Sequence, residues 1–288
     1  MLKKGLALVA VVAGVAAAAA GVARAIEWGA PDTTNQYAGV GLAVFYGSDG
    51  RPIVRCTGAL VSPTVLLTAG HCAGVDASGH VPVRAQVWFG NGYPTQIPRG
   101  AWNPTNGDPC QGVPGLGYPC TGDVGGTPHA HPGWTGLIDL PNSHDVGVVV
   151  LDRPVSLPTY TVAPVGTLDA LATKRGTQDT TFTIVGYGAQ VEQPTGEVAQ
   201  RTRYVGNVQL NSLNSSLVDG YDMLVSEAPG AGTGGSGVCS GDSGGPFFLD
   251  GRIVAIDSFT IGKYCKGTSG AFRLDTVQAQ AFLASYLP

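Results

Sequence analysis

All five histidines of this chain, His71, His80, His129, His131 and His144, come before the hexapeptide Gly241-Asp242-Ser243-Gly244-Gly245-Pro246. That order removes one of the two folds the hexapeptide would otherwise allow. Glycines on both sides of a serine let the backbone turn tightly and aim two N–H groups at an oxygen that gains negative charge, which is where acyl transfer needs donors. The hexapeptide also satisfies Gly-x-Ser-x-Gly, the strained strand-to-helix turn whose partners follow it as an acid and then a histidine. No histidine follows Ser243. The order left is His71, Asp145, Ser243, each in its own setting: Leu67-Thr68-Ala69-Gly70-His71-Cys72, then His144-Asp145-Val146-Gly147-Val148-Val149-Val150-Leu151, then the hexapeptide.

A serine hydroxyl is too weak an acid to attack a carbonyl unaided. It needs a neutral imidazole within hydrogen-bond reach, and the imidazole needs an orienting carboxylate. Three separated motifs in this order, with about 70 to 100 residues between them, resemble the secreted chymotrypsin/trypsin (S1-type) serine proteases. The resemblance covers nearly the whole chain after residue 25. It implies an all-β fold of two antiparallel six-stranded Greek-key barrels with a C-terminal α-helix, divided at about 26–158 and 159–288, with residues 152–180 as the crossover and the site in the cleft between.

The resemblance also implies function and roles. The activity would be hydrolysis of peptide bonds through an acyl-enzyme, with no cofactor or metal, on protein or peptide substrates, by a monomer. Catalysis would fall to His71, Asp145 and Ser243, and the oxyanion hole to the N–H groups of Gly241 and Ser243. Ser258 would line the triad aspartate, and Phe259 stands where the family has tryptophan. Gly237 would floor the primary pocket, with Thr260 and Gly270 on its walls. A glycine floor implies small or medium apolar side chains before the scissile bond. Asp257 keeps a second reading open, because a carboxylate facing the pocket would recruit Lys or Arg. Two other activities stay in view: a non-catalytic homologue that binds an extracellular partner, and an esterase using the same triad.

Residues 1–25 read as an export signal: Lys3 and Lys4, an uncharged run from Gly5 to Ala23, then Ala23-Arg24-Ala25 as a small-x-small cleavage site. An uncleaved anchor is the competing reading. Losing Lys3, Lys4 and Arg24 would take the net charge from −4 to −7. Only 12% of residues are charged, well below the usual ~25%, so nothing suggests a nucleic-acid surface, and no membrane partner is expected after the signal is removed. Cleavage would leave Ile26 first. The family resemblance implies that its ammonium pairs with Asp242, so that signal removal itself activates the enzyme, although Glu27 is unusual in that segment.

Six cysteines in an exported chain suggest three disulfides. The resemblance implies Cys56–Cys72 and Cys239–Cys265, leaving Cys110 and Cys120 to close a local loop. The Gly- and Pro-rich segment 103–126 reads as a surface insertion, and its Asn106, Asp108 and Asp123 read as a solvated loop in preference to a calcium site.

Short apolar, β-branched runs recur between turn residues: Val40–Tyr46, Ile53–Val61, Val65–Thr68, Val83–Phe89, Asp145–Leu151, Thr180–Tyr187, Thr202–Leu210, Met223–Ser226, Pro246–Leu249 and Arg252–Phe259. A helix is expected over Thr276–Tyr286, capped by Asp275 with Gln278 completing a capping box, and burying Val277, Ala281 and Phe282. His144 is expected to be a bystander, His80 to be solvated, and His129 and His131 to carry no chemistry.

Overall fold

A computed structural model describes residues 26–50, 52–90, 122–171, 180–198, 202–227 and 235–287. The expected signal and Asn106, Asp108, Cys110 and Cys120 lie outside them. After the short β1 (Ala30–Pro31) come β2 (Val40–Tyr46), β3 (Pro52–Ser62), β4 (Val65–Thr68), β5 (Arg84–Trp88), β6 (Val124–Ala130) and β7 (Gly147–Leu151). The last six close into an antiparallel barrel in the order β2-β3-β4-β7-β6-β5. β2 is buried along its whole length because alternate side chains serve two layers. Ala43 and Phe45 enter the main core, whereas Leu42, Val44 and Tyr46 pack with Trp88 and Tyr187.

The second half contributes β8 (Thr181–Gly186), the hairpin β9 (Val191–Gln193) and β10 (Gly196–Val198), β11 (Tyr204–Ser212), β12 (Asp222–Ser226), β13 (Pro246–Leu249), β14 (Arg252–Thr260) and β15 (Thr268–Arg273). Six of these run β11-β12-β15-β14-β13-β8, and β8 pairs back onto β11, so the second barrel also closes; β1 adds to the edge of β11. The expected fold class is the observed one.

Three local expectations are corrected. Residues 124–126 belong to β6, which pairs with both β5 and β7, and not to a loop. Their Gly125 and Gly126 read as punctuation because backbone pairing, not side-chain pattern, makes the strand. The C-terminal helix α2 (Val277–Ala284) is capped by Thr276, whose Oγ1 accepts from Ala279 N at 3.3 Å. Asp275 instead receives Arg273 Nε at 2.9 Å and Leu168 N at 2.6 Å, and Gln278 bonds Asn142. The buried stripe is accordingly Ala279, Phe282 and Leu283, with Val277 72% exposed.

Two buried charges differ in how they are treated. Arg203 is fully buried and donates to Asp32 Oδ2 at 2.9 Å, Val40 O at 3.0 Å, Phe89 O at 2.8 Å and Tyr187 Oη at 3.1 Å, with Asn35 also in reach. Asp222, at the start of β12, has neither carboxyl oxygen partnered among the described residues. Burial, then the charge of Asp145, pushes its pKa up to about 8. A carboxyl raised in the folded state contributes stability in full below its ordinary 3.8, and that contribution drains away as pH climbs through 8. Asp222→Asn should therefore flatten the loss of stability between pH 4 and 8, by up to about 1.4 kcal/mol per pH unit. Urea unfolding of both proteins at several pH values checks this, and parallel curves would refute it.

Candidate active site

β4 pairs with β7 from Val65↔Val150 to Thr68↔Gly147, so the chain leaving β4 emerges beside the chain entering β7. The first carries the single turn α1 (Gly70–Ala73) with His71, and the second carries Asp145. The pair is thus positioned by strand register. Asp145 is fully buried, and each oxygen is used: Oδ1 accepts His71 N at 2.6 Å, while Oδ2 meets His71 Nδ1 at 2.9 Å and accepts Ser258 Oγ at 2.5 Å. Trp134 covers one side of the imidazole at a centroid distance of 6.3 Å, and its Nε1 donates to Val75 O at 2.8 Å.

Burial alone would lower the His71 pKa, but the charge and hydrogen bond of Asp145 outweigh it and leave it above the usual 6.5. A base works only when neutral. The acid limb of kcat/KM should therefore lie above pH 6.5 and shift to lower pH when Asp145 is made neutral. A pH–rate profile measures it, and a limb below 6.5 would contradict the geometry.

The hexapeptide lies across the junction of the barrels, tied to β3. Thr57 N donates to Ser243 O at 2.9 Å, Thr57 Oγ1 to Gly241 O at 2.9 Å, and Arg55 Nη2 to Ser240 O at 3.4 Å. Gly241 holds φ +95, and a Cβ there would also press on Arg55, so glycine is required on both counts. Neighbouring amides are committed: Asp242 N to Cys239 O, Gly244 N to Asp257 O and Gly245 N to Asp242 O. Among the described residues, the amides of Gly241 and Ser243 have no acceptor, which leaves them available to an oxyanion.

The cysteines form Cys56–Cys72 and Cys239–Cys265. The first joins β3 to the residue after His71, and the second joins the chain ahead of Ser243 to the turn after β14. Beside the second disulfide opens a pocket of about 540 Å³ whose lining includes Ser243, Asp257, Ser258, Phe259 and Thr260. Two expected pocket residues lie elsewhere. Gly237 sits against Glu227 and donates its N–H to Glu27 O at 2.9 Å, while Gly270 lies beneath the Phe259 ring, where any Cβ would collide.

Ile26 is buried in the second core, and no hydrogen bond or ion pair joins it to Asp242 among the described residues. In this chain its nitrogen is a peptide amide. Asp242 takes Gly188 N at 2.8 Å and Cys239 N at 2.9 Å, and burial raises its pKa to about 7. His144 stacks on His131 at 4.8 Å, and His80 pairs with Asp76 at 2.9 Å on the surface. Sequence reasoning missed Glu227, whose Oε1 accepts Thr260 Oγ1 at 3.3 Å and also Ser269 Oγ. No local motif announces it.

Comparison with known proteins agrees with this fold. A family model described as Trypsin matches residues 31–277. Brachyurin of Leptuca pugilator is 27% identical over 237 residues, 78% of this chain and 87% of brachyurin. Snake venom serine protease KN9 of Trimeresurus stejnegeri is 26% identical over 211 residues, 71% and 67% of the two chains. Among solved structures, HL collagenase aligns at TM-score 0.62 and 16% identity, covering 91% of this chain and all (100%) of its own. A scabies mite inactivated protease paralogue aligns at 0.57 and 12%, covering 91% and 99%. The fold therefore occurs in inactivated proteins, and activity has to be argued from the site.

Proposed function

Because the chain belongs to the trypsin family of serine proteases, we propose that it is an active endopeptidase, exported by removal of residues 1–25, with His71, Asp145 and Ser243 as its triad. The observation that carries the reading is the fully bonded Asp145, which fixes His71 through both its backbone and its ring. Asp145 keeps the imidazole proton on Nδ1, so Nε2 is free to take the proton of Ser243 Oγ as it attacks the carbonyl carbon. The carbonyl oxygen becomes an oxyanion held by Gly241 and Ser243 N–H. His71 then gives the proton to the leaving amine, and water repeats the sequence on the acyl-enzyme.

Secretion rests on the signal-like residues 1–25 and on relatives that include a venom protease. No helix among the described residues is long and apolar enough to cross a membrane. Once Ile26 is freed, its ammonium would compete with the amides of Gly188 and Cys239 for Asp242 and restore that carboxyl's charge. Activity of the protein before and after N-terminal processing decides whether that pairing activates it.

The reading is tested with a fluorophosphonate probe and a diverse peptide library on secreted protein. Labelling at Ser243 and internal peptide cleavage, both absent from Ser243→Ala, are expected. Folded, processed protein that neither labels nor cleaves would be a binding homologue; labelling with turnover confined to esters would make it an esterase.

A further inference from the structure

Arg55 is a cation at the proposed oxyanion hole to which the proposed chemistry gives no task. It stands in β3 one residue before Cys56, opposite Val44 of β2, and is only part-buried. Its side chain leaves the strand on the same side as that of Thr57, so both reach the hexapeptide and the residue ahead of it. Thr57 Oγ1 donates to Gly241 O at 2.9 Å, and Arg55 Nη2 donates to Ser240 O at 3.4 Å in a contact open to solvent. A Cβ at Gly241 would come within 3.0 Å of Arg55 Nε and 3.5 Å of its Cζ. The guanidinium therefore lies against the residue whose N–H is proposed to receive the oxyanion. Its charge also reaches Asp242, where burial raises the pKa most and Arg55 draws it back.

The position is away from the pocket and toward the base. The pocket beside Ser243 is lined by Ser240, Phe259 and Thr260, and Arg55 is not part of that lining. A substrate that puts one side chain there must send the rest of its chain out past His71, because His71 gives its proton to the leaving amine. Cys72, the residue after His71, is joined to Cys56 of β3 by a disulfide, and Arg55 is the neighbour of Cys56. The residues released by cleavage therefore run over β3 where Arg55 stands.

We infer that Arg55 is a specificity-determining residue for the leaving side of the substrate, selecting an Asp or Glu side chain at the first or second residue after the scissile bond. This deepens the endopeptidase reading and rests on it. A guanidinium offers five N–H donors in a planar fork that fits a carboxylate, more than a single carbonyl takes up. A carboxylate drawn to that fork holds the leaving strand over Gly241, beside the proposed oxyanion donors. A lysine or arginine at the same point meets a like charge. Because the guanidinium is partly open to water, the selection is modest and weakens as salt is added.

The test compares kcat/KM for matched peptides that differ only at the first or second residue after the scissile bond, Glu, Gln or Lys, in the wild type, Arg55→Gln and Arg55→Glu, each at low and high salt. In parallel, the uncleaved Glu and Lys peptides are titrated into Ser243→Ala and into Ser243→Ala/Arg55→Glu, which reads the surface without catalysis. Expected is a preference for Glu over Lys of about tenfold at one of the two positions, smaller at high salt, lost in Arg55→Gln and inverted in Arg55→Glu. A fall in rate that is equal for all three peptides would mean that Arg55 only supports the loop, and it overturns the inference, as does a wild type indifferent to that charge. Arg55-dependent preference for the Glu peptide in a protein that neither labels with the fluorophosphonate nor cleaves would sustain the assignment and sink the endopeptidase reading; labelling and cleavage indifferent to the charge would do the opposite. Should Arg55→Glu not fold, the wild-type preference, its salt dependence and Arg55→Gln still decide.

Discussion

Ser243→Ala should lower kcat on peptide substrates by about a million-fold, close to the uncatalysed rate but not equal to it. The residue has no substitute, because it alone would bond to the substrate carbonyl. What should survive is the part of the machinery that the substitution does not touch: the free amides of Gly241 and Ser243, held by the Thr57 and Arg55 contacts to β3, and the pocket beside them. Alanine keeps the backbone N–H at 243, so a residual acceleration of roughly a thousandfold or more over water is expected from these alone. His71→Ala should cost about as much, and the double variant little more, since nucleophile and base act as one unit. Additive losses would mean that His71 is not the base for Ser243. Single-turnover kinetics on an activated ester and on an amide would measure all three.

Asp145→Asn should lower kcat by about ten-thousandfold while leaving the fold intact. The hydrogen bonds determine the reason. Oδ1 accepts the His71 backbone N–H, so an asparagine must place its carbonyl oxygen there. Its NH2 then occupies the Oδ2 position, facing His71 Nδ1 and Ser258 Oγ. A donor at that point obliges Nδ1 to accept and moves the imidazole proton to Nε2, where the ring can no longer take the proton of Ser243. Replacing Ser258 by alanine removes only one of three bonds to the carboxylate and should cost far less. A mild loss in Asp145→Asn would show that tautomer control is not what Asp145 supplies.

The pairing of His71 with Asp145 was legible in the sequence because the parts of the expected site are short motifs in a revealing order. Thr68-Ala69-Gly70-His71-Cys72 and Gly241–Pro246 each state their chemistry locally, and Asp145 opens an apolar strand. Most strands were legible for a similar reason: Val40–Tyr46, Val65–Thr68 and Pro246–Leu249 match their apolar runs to the residue. What escaped depends on partners far away along the chain. β6, written Val-Gly-Gly-Thr-Pro-His-Ala, is a strand only because β5 and β7 flank it. Asp275 looked like a helix cap, but it is taken by Arg273 and Leu168, so Thr276 caps instead. Glu227 and Gly237 meet only after the second barrel closes, which is why a floor read from Gly237 missed the carboxyl behind it.

Arg203 has one more consequence. Its guanidinium reaches Asp32 and Asn35 near the start of the described chain, the carbonyls of Val40 and Phe89 in the first barrel, and Tyr187 beyond β8. The main apolar core is likewise shared, running from Phe45 and Leu67 to Ile256, Phe272 and Phe282. The second barrel keeps a cluster of its own, from Phe182 and Ile184 to Val254 and Ala271, but the core that fills the first barrel is completed by residues of the second half. The two barrels are therefore architectural units but not autonomous ones: a chain truncated at their boundary would expose half of a common core and strand a buried cation. The protein should melt in one cooperative transition that takes the cleft with it.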